Sequence, residues 1–167
     1  MIPINQLWKS TDSQTWQGAL QNYWSFVQPK NMTIEQDLDS LHLDTIRTFN
    51  AEKWYAFLKD VYFFWKYTAP NRYASTTKIL REFVDRGNID QLDHIRKKLL
   101  DLRLDDTFEC LETAKQIPGL GTAGASGLLA IMYPQNFGTV DQFVVKALWE
   151  VGGLPEEAAV SKMKPES

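Results

Sequence analysis

The chain has 167 residues, 44% of them apolar and 23% charged, the balance of one globular domain or two small lobes that can bury a core without staples. A formal net charge of −3 and an isoelectric point near 5.4 exclude a broadly basic surface, so any nucleic-acid contact has to be local. The single cysteine, Cys110, excludes an internal disulfide framework and a cysteine-ligated zinc or iron–sulfur site.

In chain order the pattern reads as all-helical, without a period-two strand or an Asn-Gly hairpin. The first dozen residues read as an irregular arm and lack the basic start and apolar run of a signal peptide, so a cytoplasmic protein is expected. A helix is predicted over 15–27, with Trp16, Leu20, Tyr23, Trp24 and Val27 on one face and Pro29 beyond its end. Residues 31–39 are ambiguous, with a short helix after Thr33 as one option, and 41–48 hold another short helix. Asn50 reads as the N-cap of a long helix reaching Tyr67, whose apolar positions are Trp54, Phe57, Leu58, Val61, Phe64 and Trp65. Its aromatic stretch, 61–65, is too short to span a bilayer. Pro70 closes this helix; the next covers 73–85, with Gly87 supplying a left-handed C-terminal residue.

A further helix over 90–102 carries Leu92, Ile95, Leu99 and Leu102 at helical spacing. Asp105 or Asp106 caps the following helix, which ends at Ile117, and Cys110 within it is read as a buried structural thiol among Phe108, Leu111 and Ala114. A tight turn over 118–121, a small-residue helix over 122–132, a loop over 134–139 and a helix over 140–149 complete the predicted frame. Gly152-Gly153 stops that last helix, and 155–164 form a short final helix or a charged tail.

Two features carry chemistry. In Ile117-Pro118-Gly119-Leu120-Gly121, Pro118 ends one helix, and both glycines can take backbone angles closed to other residues and leave close approach unblocked. The amides around Gly121, Thr122 and Ala123 then start a helix and point outward, an anion site strengthened by the helix dipole that needs no net positive charge. Twenty positions after Gly121, Val140-Asp141 opens the last helix. Alone, Asp141 reads as a capping acid, worth about 1 kcal/mol.

Together, the Pro-Gly-Leu-Gly hairpin and Val140-Asp141 at this interval resemble the helix–hairpin–helix (HhH-GPD) DNA glycosylases. This is the superfamily of endonuclease III, the adenine glycosylase acting opposite 8-oxoguanine, and the 8-oxoguanine glycosylases. The resemblance covers 117–146, about a fifth of the chain. It implies a two-lobed all-α fold in which Gly119, Leu120, Gly121, Thr122 and Ala123 grip the DNA backbone and a modified base is flipped into a cleft. It also implies that Asp141 is the essential carboxylate, beside which positive charge develops as the N-glycosidic bond breaks. Bifunctional members carry a lysine two residues past the second hairpin glycine; Ala123 stands there, which implies a monofunctional hydrolase. Where several members have histidine two residues after the aspartate, this chain has Phe143, read as core. Lys146 is a weak substitute nucleophile, more readily a surface lysine.

The domain expectation is one helical unit over 1–167. Residues 40–135 form a lobe that includes the hairpin 117–121, while helix 15–27 and 140–164 build a small second lobe. Most of the aromatic run between Trp54 and Tyr67 is read as core, and Arg96-Lys97-Lys98 with Arg103 as a solvated face. His42 and His94 stand apart, so no metal site and no cofactor are expected; DNA is the expected partner, the membrane is not, and a monomer is expected. Two other readings stay open: a DNA- or protein-binding module on the same scaffold without chemistry, and a structural helical protein with a glycine-rich corner.

Overall fold

The computed structural model describes residues 2–154, and all secondary structure among them is helical. The expected final helix or tail at 155–164 lies outside the described residues. The contacts divide the chain into two units, one of Met1–Met32 with Val140–Ser167, the other Thr33–Thr139. No described helix is long and apolar enough to cross a membrane.

The first unit holds α1 (Ile4–Lys9), α2 (Ser13–Phe26) and α11 (Gln142–Glu150). α1 replaces the irregular arm expected from the sequence. α2 starts two residues before the expected Thr15, because the Asp12 carboxylate accepts from the Gln14 and Thr15 amides and from the Thr15 hydroxyl. Those bonds, the Thr15 hydroxyl first, hold the Asp12 carboxyl below its ordinary value. The expected apolar face is amphipathic in sequence yet poorly covered: no residue of α2 is buried, and Trp16, Leu20 and Tyr23 are exposed. α3 (Pro29–Asp39) spans the division between units and starts earlier than expected, with Pro29 as its first residue, where a missing N–H costs no helical bond.

The second unit contains the core. It comprises α4 (Leu43–Arg47), α5 (Ala51–Ala56), a π-helical segment (Phe57–Tyr62), α6 (Phe63–Lys66), α7 (Pro70–Asp85), α8 (Ile89–Leu100), α9 (Thr107–Lys115) and α10 (Thr122–Met132). Asn50 caps α5 as expected, its side chain accepting from the Lys53 amide. Pro70 does not close a helix but begins α7, and Gly87 takes the left-handed conformation expected of it, with φ +87°. Trp54, Leu58, Tyr62, Phe63, Leu80, Leu92, Leu99, Ile117 and Leu128 are fully buried in one cluster. Arg96 is not part of a solvated face. It is buried, donates to the Ile46 carbonyl at the end of α4, and pairs with Asp93 at 2.7 Å, while Lys97 completes the pair from the surface. Cys110 is buried with its thiol against the Arg103 carbonyl, and burial first, then Asp106 and Glu109, push its titration upward, which keeps it inert. Phe108, expected beside it, is 73% exposed.

The long helix expected over 50–67 is interrupted. The π-helical segment inserts one extra residue into the helical register, so the buried sequence runs Trp54, Phe57, Leu58, then Tyr62 and Phe63. Val61 and Trp65, expected to be core, are only half-buried, and Phe64 is exposed.

Candidate nucleic-acid interface

Asp106 caps α9 by accepting from the Glu109 amide, and α9 and α10 pack against each other across the four-residue turn Ile117-Pro118-Gly119-Leu120. The Leu120 amide donates to the Ile117 carbonyl at 3.1 Å, which closes the turn. With Pro118 at the second position and Gly119 at φ +93° in the third, this is a type II turn, the geometry that demands glycine there. Space demands it as well, since a Cβ on Gly119 would lie 2.8 Å from Thr76 Cγ2 and 3.0 Å from the Thr76 carbonyl oxygen. Ile117 and Leu120 anchor the two ends of the turn in the core.

Gly121 behaves otherwise. It is the N-cap of α10 in an extended conformation, φ −91° and ψ −174°, and a Cβ there would meet nothing within 4 Å. No side chain caps α10, its first turn carries no acid, and its first closing bond runs from the Ala125 amide to the Gly121 carbonyl at 2.8 Å. Gly121 and Thr122 are exposed and Ala123 is half-buried. The opening amides of an eleven-residue helix thus start at exposed Gly121 and Thr122, with no side-chain cap among the described residues.

The small residues after the turn serve a contact the sequence did not disclose. A Cβ on Gly124 would lie 2.5 Å from Tyr67 Oη, and one on Gly127 would lie 2.9 Å from Tyr62 Oη and 3.1 Å from Lys66 Nζ. The Tyr62 hydroxyl donates to the Gly124 carbonyl, the Tyr67 hydroxyl reaches the Gly119 carbonyl at 3.5 Å, and Lys66 Nζ donates to Thr139 Oγ1 at 2.8 Å. Burial, then the neighbouring Tyr67, raises the Tyr62 titration well above the ordinary tyrosine value, so it remains a neutral donor. The π segment turns these heads toward α10. The only trace of this in the sequence is Gly124 and Gly127 spaced three apart on a helix, which marks one face for close approach.

Asp141 is the N-cap of α11, accepting from the Phe143 amide at 2.8 Å and the Val144 amide at 3.0 Å, both on Oδ1. Its carboxylate is partly buried. Phe143 is not core but 70% exposed, because position two of α11 faces away from Val145, the buried residue of this helix. Lys146 is exposed. Among the described residues no three His, Cys, Asp or Glu side chains converge to hold a metal ion. Comparison with models of protein families, with curated proteins and with solved structures yields no match in any of the three.

Proposed function

We propose that the α9–turn–α10 hairpin grips a phosphate of a DNA backbone and that the chain is a base-excision glycosylase, hydrolysing the N-glycosidic bond of a flipped, modified base with Asp141 as its essential carboxylate. The observation that carries the first half is Gly121: neither backbone angle nor internal space asks for glycine, whereas a phosphate approaching the uncapped amides of Thr122 and Ala123 does. The second half draws on the resemblance and on chemistry. Asp141 Oδ1 takes both amide bonds, and a carboxylate held in this way has its second oxygen to set beside a developing sugar cation. Ala123 leaves the hairpin without the amine of the bifunctional enzymes, so hydrolysis is the expected outcome at that position.

A binding module without chemistry is the second reading. Asp141 already fills an ordinary capping role, and a net charge of −3 gives little general affinity for DNA. Duplexes carrying single lesions (8-oxoguanine, uracil, alkylated bases), incubated with the protein and then treated with hot alkali, separate the two. Lesion-dependent breaks that vanish in Asp141→Asn support the enzyme. Binding without breaks supports the module, and no binding at low salt sinks both.

A further inference from the structure

The run from Ser13 to Pro29 contains no charged residue, in a chain that is 23% charged. α2 occupies most of it. Trp16, Leu20, Tyr23, Trp24, Phe26 and Val27 fall on one side of this helical run, with Gln14, Gln21 and Ser25 opposite. A face of this kind ordinarily lies on a core. Here Trp16 is 44% exposed, Leu20 55% and Phe26 67%, and no residue of α2 is buried. The Asp12 cap and the bond from the Trp16 indole N–H to the Ser10 carbonyl pin the first turn, so the fold itself sets the ring positions.

Charge and area indicate what covers this face. Residues 1–32 and 140–154 hold three basic side chains (Lys9, Lys30, Lys146) and three acidic ones (Asp12, Asp141, Glu150), which balance to zero. A nucleic-acid backbone or an acidic lipid surface calls for a row of cations, and α2 has none. A neutral apolar face is complementary to its own copy, because no like charges meet across a two-fold axis. Its Trp and Tyr side chains are the types enriched at the centres of protein interfaces, where charge is depleted. Aromatic side chains bury about 150–250 Å² each, so the exposed halves of Trp16, Leu20, Tyr23 and Phe26, with the rims of Trp24 and Val27, offer roughly 500 Å² per copy. The pair then buries about 1,000 Å², where specific interfaces begin, which fits a weak and reversible dimer.

We propose that the apolar face of α2 is a homodimer interface, in which two copies of this chain pack α2 against α2 about a two-fold axis beside Leu20. This departs from the monomer expected from the sequence and stands independently of the hairpin reading. Trp16, Leu20 and Trp24 follow one another at four-residue steps and form a single ridge with Leu20 at its middle. An axis there sets each Leu20 beside its twin. With the helices antiparallel, it also brings Trp16 of one copy near Trp24 of the other.

Sedimentation equilibrium of the full chain tests this. Between about 1 and 200 μM the mean mass is expected to rise from 19.2 kDa toward twice that value. Leu20→Lys puts two like charges at the axis and should weaken dimerisation by at least about tenfold. Its helix content by circular dichroism should not change, since the side chain is exposed. Mixing Leu20→Lys with Leu20→Glu should restore a dimer. Under mild oxidation Leu20→Cys should form a disulfide-linked dimer, whereas Ser25→Cys on the opposite side should not; Cys110 is buried and does not compete. If the lysine variant unfolds, this crosslink decides. A mass fixed at 19.2 kDa over the whole range overturns the proposal. A dimer that survives Leu20→Lys, or one that Leu20→Cys fails to crosslink, uses another surface and overturns it too. Phosphatidylcholine vesicles supply the rival occupant: a protein that stays monomeric while its tryptophan emission shifts to the blue on these vesicles has lipid against the face, not a second copy.

Discussion

The two units hold tryptophans of similar helical setting in opposite environments. Trp54, in α5 of the Thr33–Thr139 unit, is fully buried and stacks on Phe57 with ring centroids 5.5 Å apart. Trp16, in α2 of the other unit, is 44% exposed, its indole N–H donating to the Ser10 carbonyl at 2.9 Å. Both sit on faces with apolar residues at helical spacing. Amphipathic pattern therefore specifies a helix in both places, but a core only where other elements supply facing side chains. The second unit brings α5, α8, α9 and α10 around one cluster. Among the described residues of the first unit Val145 is the buried hydrophobic, while Phe26, Phe143 and Trp149 are exposed with Trp16.

This contrast predicts the largest difference in stability. Trp54→Ala removes a fully enclosed ring and is expected to cost about 3–5 kcal/mol. Trp16→Ala should cost less, since a residue 44% exposed has less burial to give up. Urea midpoints at constant slope measure both, and equal losses would break the comparison. Trp54→Phe should be milder than its lost volume suggests, because the buried Trp54 N–H has no hydrogen-bond partner among the described residues whose loss would leave an orphan.

The next effect lies within the hairpin. Gly119→Ala forces a side chain into positive φ and against the Thr76 backbone, and a loss of about 2 kcal/mol is expected. Gly121→Ala should cost less, about 0.5–1 kcal/mol from the N-cap preference alone. On the phosphate-grip reading, Gly121→Ala instead weakens duplex binding, a split that a thermal melt paired with anisotropy resolves. If the two glycines behave alike in both measurements, the distinction drawn from their backbone angles fails.

How much of this was legible in the sequence follows from how local each signal is. Asn50, Asp106 and Asp141 cap helices because a short side chain reaches amides two or three residues on, and the type II turn at Pro118-Gly119 is written in those two residues. The inserted residue between Phe57 and Tyr62 was not legible, because no local signal marks it and the contact it accompanies, the Tyr62 hydroxyl on the Gly124 carbonyl, spans 62 positions. A 3.6-residue period continues through it and misplaces Phe64, while Val61 and Trp65 pack half-buried against the core. Lys66 was hidden by the same slip, since an unbroken helix gives no reason to turn it toward Gly127. Arg96 read as one of a basic run, though its guanidinium belongs to the carbonyl of Ile46, fifty residues earlier. At the candidate site, Gly121 and Asp141 were visible as residues; which of two glycines the backbone requires needed φ.

Asp141 allows stability and chemistry to be separated by one atom. Asp141→Ala removes the acceptor of two α11 amides, with an expected loss of about 1 kcal/mol. Asp141→Asn keeps an oxygen in the Oδ1 position, so the loss should be a few tenths of a kcal/mol. A glycosylase that depends on this carboxylate loses base excision in both variants, whereas a binding module keeps its duplex affinity in both. Activity in Asp141→Asn at the original level removes Asp141 from the chemistry and leaves it as a cap.

The smallest expected effect compares carboxylates across the two units. Burial pushes the Asp93 carboxyl up, but hydrogen bonds from Lys97 and Arg96 and their charges outweigh it and hold it below the ordinary value. A folded-state value below the unfolded one means the charged form stabilises the fold. That contribution is complete above about pH 4, the ordinary carboxylate value, and is lost as pH falls further toward the lowered folded value. Asp12, also held low, follows the same sign through its capping bonds. The two differ in surroundings, since the Asp93 side chain is 13% exposed and shields Arg96 inside the core, whereas Asp12 caps α2 at the surface. Asp93→Asn should therefore flatten the acid limb of a stability–pH profile more than Asp12→Asn does, at constant salt. Screening with 0.5 M salt should erase the Asp12 contribution before that of Asp93, because exposed charges are screened first. Equal salt sensitivity in the two variants would show that the Asp93 pair is as open to solvent as the cap at Asp12.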